Sequence, residues 1–437
     1  MALTGARTDT DAATPATAPV PAGRRPWLLE AATVLMGLAV ALVVGIDGSP
    51  AWQAVRVGVV VVLTALAVGA ERRVRARARG RIAAAMGVLA TSVGLGLAPH
   101  LAKDGPLPVR VASTLLLVGG LALLVGGTAV ALRGRHWPRA VASVVGVVVV
   151  TAIVALVVSP AVAATNVPRP MLGATPAAVG LTASAVSIPT TDGVRLAGWY
   201  VPSTNDAAVV LLHGAGSTRS DVLDEAAVLA DAGFGVLMVD ARGHGESGGR
   251  AMDFGWYGED DVAAAVDVLV AQPDVEPDRI GVVGLSMGGE QALGASGVDH
   301  RIRAVVAEGA TARSASDEAW LSERYGVRGW VQERLEWVQD RVTDVLTDAP
   351  VPGSSRDAVE AADTTRYLLI AAGEVPDEAH AAEFVAEGAP DRVEVWTVPG
   401  AGHVGALSVT PDEWSDRVTA FLAAALRGRA DPVRSGS

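Results

Sequence analysis

Five apolar stretches fill the first third of the chain, at roughly 28–46, 54–70, 82–98, 109–132 and 140–164. A helix needs about 20 apolar residues to cross the hydrocarbon core of a bilayer, with a range near 17–25, and all five fit. Taken singly, each could be a buried core helix. Five in a row, separated by loops that alternate between basic and non-basic, read as membrane spans. Arg56 and Arg110 fall near helix ends, where their stems can snorkel to the headgroups. Trp27, Trp52 and Trp137 fall at the expected interfaces.

The loops orient the bundle. Arg24 and Arg25 precede the first span, the 71–81 loop holds six arginines, and the 133–139 loop holds Arg133, Arg135 and Arg139. The alternate loops, 47–53 and 99–108, carry Asp47, Asp104 and only Lys103 as a positive charge. The positive-inside bias puts the N-terminus in the cytoplasm, and an odd number of spans puts residue 165 onward outside the cell membrane. Apart from Glu30 near one end, no carboxylate falls within the expected spans, so an ion or proton path is not indicated. The region 27–165 is expected to anchor, with small-residue faces at Gly119-Gly120 and Gly126-Gly127 for helix packing.

Charge separates the two halves. Residues 1–170 carry 16 Lys+Arg against 6 Asp+Glu, a net of +10, whereas residues 171–437 carry a net of −22. This is the pattern of a membrane region joined to a soluble domain. An acidic domain of this kind is not expected to bind nucleic acid. With no cysteine in the chain, disulfides, thiolate nucleophiles and Cys-based metal sites are excluded. Residues 1–26 are Ala/Thr/Pro-rich and are expected to form a disordered tail. A linker at 166–184, a soluble domain at 185–427 and a short tail at 428–437 complete the expected organisation.

Within 185–427, short β-rich runs at Leu196–Tyr200, Ala208–Leu212, Val236–Asp240, Ile280–Leu285, Ala304–Glu308, Tyr367–Ala372 and Val393–Val398 alternate with helical patterns. Strands that are nearly all apolar, with helices between them, predict a doubly wound, mostly parallel α/β sheet buried on both faces. Active sites in such sheets lie off the carboxyl ends of the strands, so the residues just after each strand matter most.

After Ile280–Leu285 comes Ser286, within Gly284-Leu285-Ser286-Met287-Gly288, followed by a helix start. A tight strand-to-helix turn needs small neighbours, because side chains at 284 or 288 would collide across the bend; the serine is then strained and exposed. After Ala208–Leu212 comes His213-Gly214-Ala215-Gly216, so the amides of Ala215 and Met287 are the expected oxyanion donors, while the His213 side chain is expected to pack beneath the site. After Val393–Val398 comes Pro399-Gly400-Ala401-Gly402-His403, and His403 is the expected general base. The loop after Tyr367–Ala372 holds Glu374, Asp377 and Glu378. Asp377 is the preferred acid, with Glu378, Glu374 and Glu308 as alternatives; each could instead be a solvated carboxylate or a helix cap.

Together these residues resemble the α/β-hydrolase superfamily, in its esterase, lipase and serine-aminopeptidase-like branches, over about residues 185–427. The stretch Val239-Asp240-Ala241-Arg242-Gly243-His244-Gly245-Glu246-Ser247 is similar to a structural turn of that family, D-x-R-G-H-G-x-S. The acid loop departs from the family's usual Gly-x-x-Asp, because the third position after Gly373 is Pro376. The resemblance implies that residues 310–365 form a cap over the site. Trp330 and Trp337, seven apart on a predicted helix, share a face that either lines a pocket or packs the cap onto the body.

The expected activity is that of a membrane-integral serine hydrolase acting on an ester, thioester or amide, in a small-molecule, lipid or peptide substrate. No metal or organic cofactor is implied. Two further readings share the fold: an acyltransferase using the same triad, and a catalytically inactive sensor or assembly protein of the envelope.

Overall fold

The structure is a computed structural model that describes residues 27–45, 50–101, 107–166, 169–249 and 251–427. The expected tails at 1–26 and 428–437 lie outside the described residues, as do Arg24, Arg25, Asp47, Lys103 and Asp104.

The first half is a bundle of five helices: α1 (Trp27–Val44), α2 (Pro50–Arg73), α3 (Ala76–Leu101), α4 (Leu107–Ala131) and α5 (Trp137–Ala164). Helices α2 to α5 are long and apolar enough to cross a membrane, whereas α1 is shorter, at 18 residues. Helix α1 runs antiparallel to α2. Thr33 donates to Glu71 (2.9 Å), Gly37 packs on Thr64, and Gly45 packs on Val57. Glu71 therefore lies buried inside α2, not in the loop where the sequence reading put it.

The glycines of the third stretch have a structural role. Helix α3 is the central helix, with 61% of its apolar window buried against 6% for α2 and for α5. Gly80, Gly87 and Gly94 of α3 recur every seven residues and meet Gly127, Gly120 and their neighbours on α4. A Cβ at Gly87 would stand 2.3 Å from the Leu124 backbone nitrogen, and one at Gly127 would stand 2.5 Å from that of Ala84. The two backbones touch, which only small residues permit. Gly126, by contrast, faces open space.

Two ends of the bundle are distinguishable. Arg72 pairs with Glu30 (3.0 Å), and Arg77 donates to the Arg133 carbonyl (3.0 Å), so the arginine loops and the start of α1 share one end. The start of α2 and the end of α5 share the other end, where the second domain sits.

That domain is built on one eight-stranded sheet: β1 (Ser184–Pro189), β2 (Arg195–Val201), β3 (Ala208–Leu212), β4 (Gly235–Val239), β5 (Ile280–Leu285), β6 (Ile302–Glu308), β7 (Arg366–Ala372) and β8 (Val393–Val398). The spatial order is β1-β2-β4-β3-β5-β6-β7-β8. Strands β1 and β2 pair antiparallel and β2 pairs antiparallel with β4, while β3 through β8 run parallel. The edge strand β1 escaped the sequence reading because most of its residues are exposed or only half-buried, leaving no apolar run.

Helices cover both faces. In β3 every residue is buried: Ala208, Val210 and Leu212 face one core with α7 (Gly258–Val270) and α8 (Met287–Ser296). Val209 and Leu211 face the other core with α6 (Leu223–Asp231) and α14 (Pro411–Ala425). The period-2 alternation sends neighbouring residues into different cores, which is why these strands read as continuous apolar runs.

Between β6 and β7 lie α9 (Leu321–Tyr325), α10 (Val327–Leu346) and α11 (Ser355–Ala361). Helix α12 (Pro376–Ala386) follows β7, and α13 (Ala406–Val409) follows β8. The segment after α10 holds the two halves of the chain together. Arg56 of α2 pairs with Asp348 (3.0 Å), and Trp52 donates to the Thr347 carbonyl (3.3 Å). Arg56 is only 5% exposed and, where the sequence suggested snorkelling to headgroups, it pairs with a carboxylate of the second domain.

The glycine contact between α3 and α4 makes a sharp prediction. Gly87→Leu should destabilise the full chain by about 1–3 kcal/mol through overpacking, while Gly126→Leu should be neutral. The thermal midpoints of the two variants in detergent measure the difference.

Candidate active site

Five chain segments meet at the carboxyl end of β5. The turn from β5 into α8 forces Ser286 to φ 52°, ψ −121°, a conformation that a non-glycine residue rarely adopts. It persists because the surroundings allow nothing else. A Cβ at Gly284 would stand 2.2 Å from the Gly288 carbonyl oxygen, and one at Gly288 would stand 2.6 Å from that of Leu212. The Ser286 amide donates to the Glu308 carbonyl (2.7 Å). Strain of this kind costs about 1–3 kcal/mol and clusters at functional sites; here it lifts the Ser286 hydroxyl clear of the sheet.

His403 comes from the loop after β8. Its Nε2 lies 2.9 Å from Ser286 Oγ, and its Nδ1 lies 2.6 Å from Glu378 Oε1. Two left-handed residues frame the ring. Val404 sits at φ 48°, and Gly309 at φ 67°, where a Cβ would come within 3.0 Å of His403 Cε1. Glycine at 309 is what lets the imidazole lie against the end of β6. Gly214 does the same for the serine, since a Cβ there would stand 3.3 Å from Ser286 Cβ.

The carboxylate beside His403 is Glu378; Asp377 is elsewhere. Asp377 is exposed and accepts a hydrogen bond from the Tyr325 hydroxyl (2.5 Å). The cause is Pro376. It starts α12 at the first helical position, where its fixed φ suits a helix. Residues 377 and 378 then point about 100° apart around the first turn. Glu378 falls on the buried face with Ala381, Ala382 and Val385, and is only 2% exposed. That i, i+3, i+4, i+7 spacing was present in the sequence and would have favoured Glu378. Its second oxygen accepts from the Ala372 amide (2.8 Å).

The other two acid candidates are also accounted for. Glu374 is exposed, and its backbone amide donates to the Ala401 carbonyl (3.0 Å). Glu308 is buried, with its oxygens taken by the Ala406 amide (2.8 Å) and the Trp414 indole (3.0 Å), so it holds α13 and α14 in place. Burial raises the pKa of Glu308. The pKa of His403 is raised above the ordinary histidine value, first by its hydrogen bond to Glu378.

His213 and His244 support the turn after β3. His213 Nε2 accepts from the Ala241 amide (3.0 Å), and His244 Nε2 accepts from the Gly216 amide (3.2 Å). Each ring has its Nδ1 near a backbone carbonyl, that of Gly214 at 2.8 Å and that of Arg242 at 2.7 Å. Burial lowers both pKa values to about 4, which keeps the rings neutral and able to accept. The turn between them is thereby locked. Among the described residues, neither the Ala215 nor the Met287 amide donates to a protein group.

The motif Asp240–Ser247 closes around this turn. Asp240 is wholly buried and accepts from the Arg219 amide (2.8 Å), the Arg219 guanidinium (2.5 Å) and the Glu246 amide (2.9 Å). These bonds tie the turn after β4 to the segment after β3, as the family resemblance implied for a structural turn.

The cap tryptophans take neither of their expected roles. Trp330 and Trp337 are 52% and 51% exposed. Trp320 instead lies beside His380 and Tyr325, with ring centroids 5.6 Å and 6.2 Å apart.

Comparison with known proteins gives a consistent picture. Residues 203–363 match the family model described as serine aminopeptidase, S33. An uncharacterized protein of Mycobacterium tuberculosis (strain ATCC 25618 / H37Rv) is 38% identical over 112 residues, covering 25% of this chain and 39% of that protein. The uncharacterized protein YfhR of Escherichia coli (strain K12) is 32% identical over 164 residues, covering 33% of this chain and 57% of that one. The thiohydrolase aneE of Aspergillus aculeatus is 36% identical over 130 residues, covering 29% and 41% respectively. This chain thus spans between 39% and 57% of the length of these relatives. Among solved structures, the Pyrococcus furiosus esterase Pf2001 aligns with a TM-score of 0.47 at 26% identity, covering 60% of this chain and 98% of the esterase. The strand order and the strand–serine–helix turn give the domain that follows the five helices the α/β-hydrolase fold, and its residues 203–363 match a family model of that fold.

Proposed function

We propose that this chain is a membrane-anchored serine hydrolase that cleaves a carboxylic ester, thioester or amide through an acyl-enzyme on Ser286. The observation that carries the reading is the unbroken line Ser286 Oγ–His403–Glu378, at 2.9 Å and 2.6 Å, on a strained turn. The Ser286 hydroxyl attacks the carbonyl while His403 Nε2 takes its proton. Glu378 accepts from Nδ1–H, which fixes the tautomer and stabilises the imidazolium. The Ala215 and Met287 amides receive the developing oxyanion, each worth about 2.7–4 kcal/mol in comparable sites. The imidazolium then protonates the leaving group, and water, activated in turn by His403, releases the acid. An acyl acceptor other than water would use the same groups. The irregular acid loop was the one feature favouring an inactive sensor, and Glu378 accommodates it.

Helices α1 to α5 are read as the anchor, with the arginine loops in the cytoplasm and the hydrolase domain on the outer side. Supporting this, those loops lie together at the end of the bundle away from the domain. Protease added to intact cells should therefore digest the domain; protection would reverse the orientation.

Ser286→Ala should abolish labelling by a fluorophosphonate probe and lower kcat by about a million-fold. Persistence of the adduct in the variant would place the nucleophile elsewhere. Glu378→Gln should lower kcat about ten-thousand-fold, whereas Asp377→Asn should leave it nearly unchanged. The pH profile supplies an independent check. Catalysis needs neutral His403, and Glu378 raises the pKa of that ring, so activity falls as pH drops through the raised value. Removing the charge at 378 should move this acidic limb to lower pH in the residual activity.

A further inference from the structure

Apart from Arg328 in the first turn, the exposed residues of α10 fall on one face. Val327, Trp330, Val331, Arg334, Trp337, Val338, Arg341 and Val345 are all exposed, and at 100° per residue they span an arc of about 120°. Arg334 and Arg341 lie near the middle of this arc. Each guanidinium sits over a tryptophan of the same face, Arg334 over Trp330 at 5.6 Å and Arg341 over Trp337 at 5.4 Å.

The acids of α10 all avoid it. Glu333, Glu336, Asp340 and Asp344 are half-buried and lie outside the arc, with Asp344 and Glu333 flanking its Trp337 edge. Glu333 accepts from the Ser322 amide (2.7 Å) and Asp340 from the Ala315 amide (2.8 Å). A domain with a net charge of −22 over residues 171–437 therefore presents here a surface of valine, tryptophan and arginine.

The position of the helix says what covers this face. The C-terminal end of α10 packs on the bundle: Leu346 lies against its apolar core, Thr347 accepts from Trp52, and Asp348 pairs with Arg56 in the second turn of α2. The face begins where the apolar helices end. At the other end, Tyr325 donates to Asp377, the neighbour of Glu378, at the rim of the site.

We propose that the outer face of α10 docks into the headgroup layer of the bilayer that holds α2 to α5, with its arginines on anionic lipid, so that the rim of the active site is held at the membrane surface. This rests on the reading of those helices as membrane spans. Aromatic side chains and snorkelling arginines suit the boundary between headgroups and acyl chains, and each arginine near an anionic surface adds attraction. Valine at 331, 338 and 345 supplies the apolar contact.

The chain has no cysteine, so single labels are unambiguous. The full chain is placed in lipid nanodiscs with a fluorophore at Val338→Cys, at Val62→Cys on the exposed side of α2, or at Glu394→Cys, an exposed position of the edge strand β8. Nitroxide lipids then quench whatever lies in the bilayer. The expected result is loss of fluorescence at 338 with a headgroup nitroxide, loss at 62 with an acyl-chain nitroxide, and none at 394. Quenching at 338 should be stronger in discs containing phosphatidylglycerol than in phosphatidylcholine alone. Arg334→Glu with Arg341→Glu should remove that difference. An unquenched 338 beside a quenched 62 would overturn the docking proposal and leave the spans standing. An unquenched 62 would overturn the spans themselves. Shielding of 338 that persists in detergent, without lipid, would show a protein surface covering the face and would likewise overturn the proposal.

Discussion

The contact between Gly284 and Gly288, closed over the carbonyl of Leu212, is the point from which the α/β domain is organised. Because the backbones meet there with no side chain between them, β5 can turn directly into α8, and Ser286 is carried into a left-handed conformation at the head of the helix. Its amide hydrogen bond to the end of β6 ties that turn to the next strand. Gly309, just beyond, then leaves the space that the His403 ring occupies. A single steric requirement in the centre of the sheet thus sets where residues from β3, β6, β7 and β8 can meet. The sheet around it is rigid because its central strands are buried on both faces.

The segment between β6 and β7 links that site to the helix bundle. Helix α10 lies between Tyr325, the last residue of α9 and a partner of Asp377, and Asp348, which pairs with the buried Arg56 of α2. Removing Asp348 would take a carboxylate from beside a buried guanidinium, which is destabilising. The halves of the chain are therefore joined by more than their covalent linker, itself held down by Arg169 on the Gly245 and Gly249 carbonyls. The closely packed α3–α4 pair gives the bundle a fixed shape for the cap to dock on.

Much of the fold was legible because its signals are local. Five apolar stretches, seven of the eight strands and the glycines around Ser286 each follow from short-range pattern and sterics. The misreadings share one origin. Asp377 looked nearer to the family spacing than Glu378, but Pro376 begins the helix early and rotates Asp377 outward. Arg56 looked like a snorkelling residue because its partner lies almost 300 positions away. Trp330 and Trp337 share a face, as their spacing required, yet spacing says nothing about which way that face turns.

Sequence alone determined that a largely apolar helical region precedes a doubly wound α/β domain, and that Ser286 and His403 follow strands whose carboxyl ends face the same side. Those properties depend on hydrophobic periodicity and on turn sterics, which act over a few residues. Tertiary structure decided which carboxylate meets His403, which glycines bring α3 and α4 into contact, and where the outer face of α10 points. Each of these depends on the rotation of one helix against elements distant in the chain, and burial against those elements, not local pattern, sets that rotation.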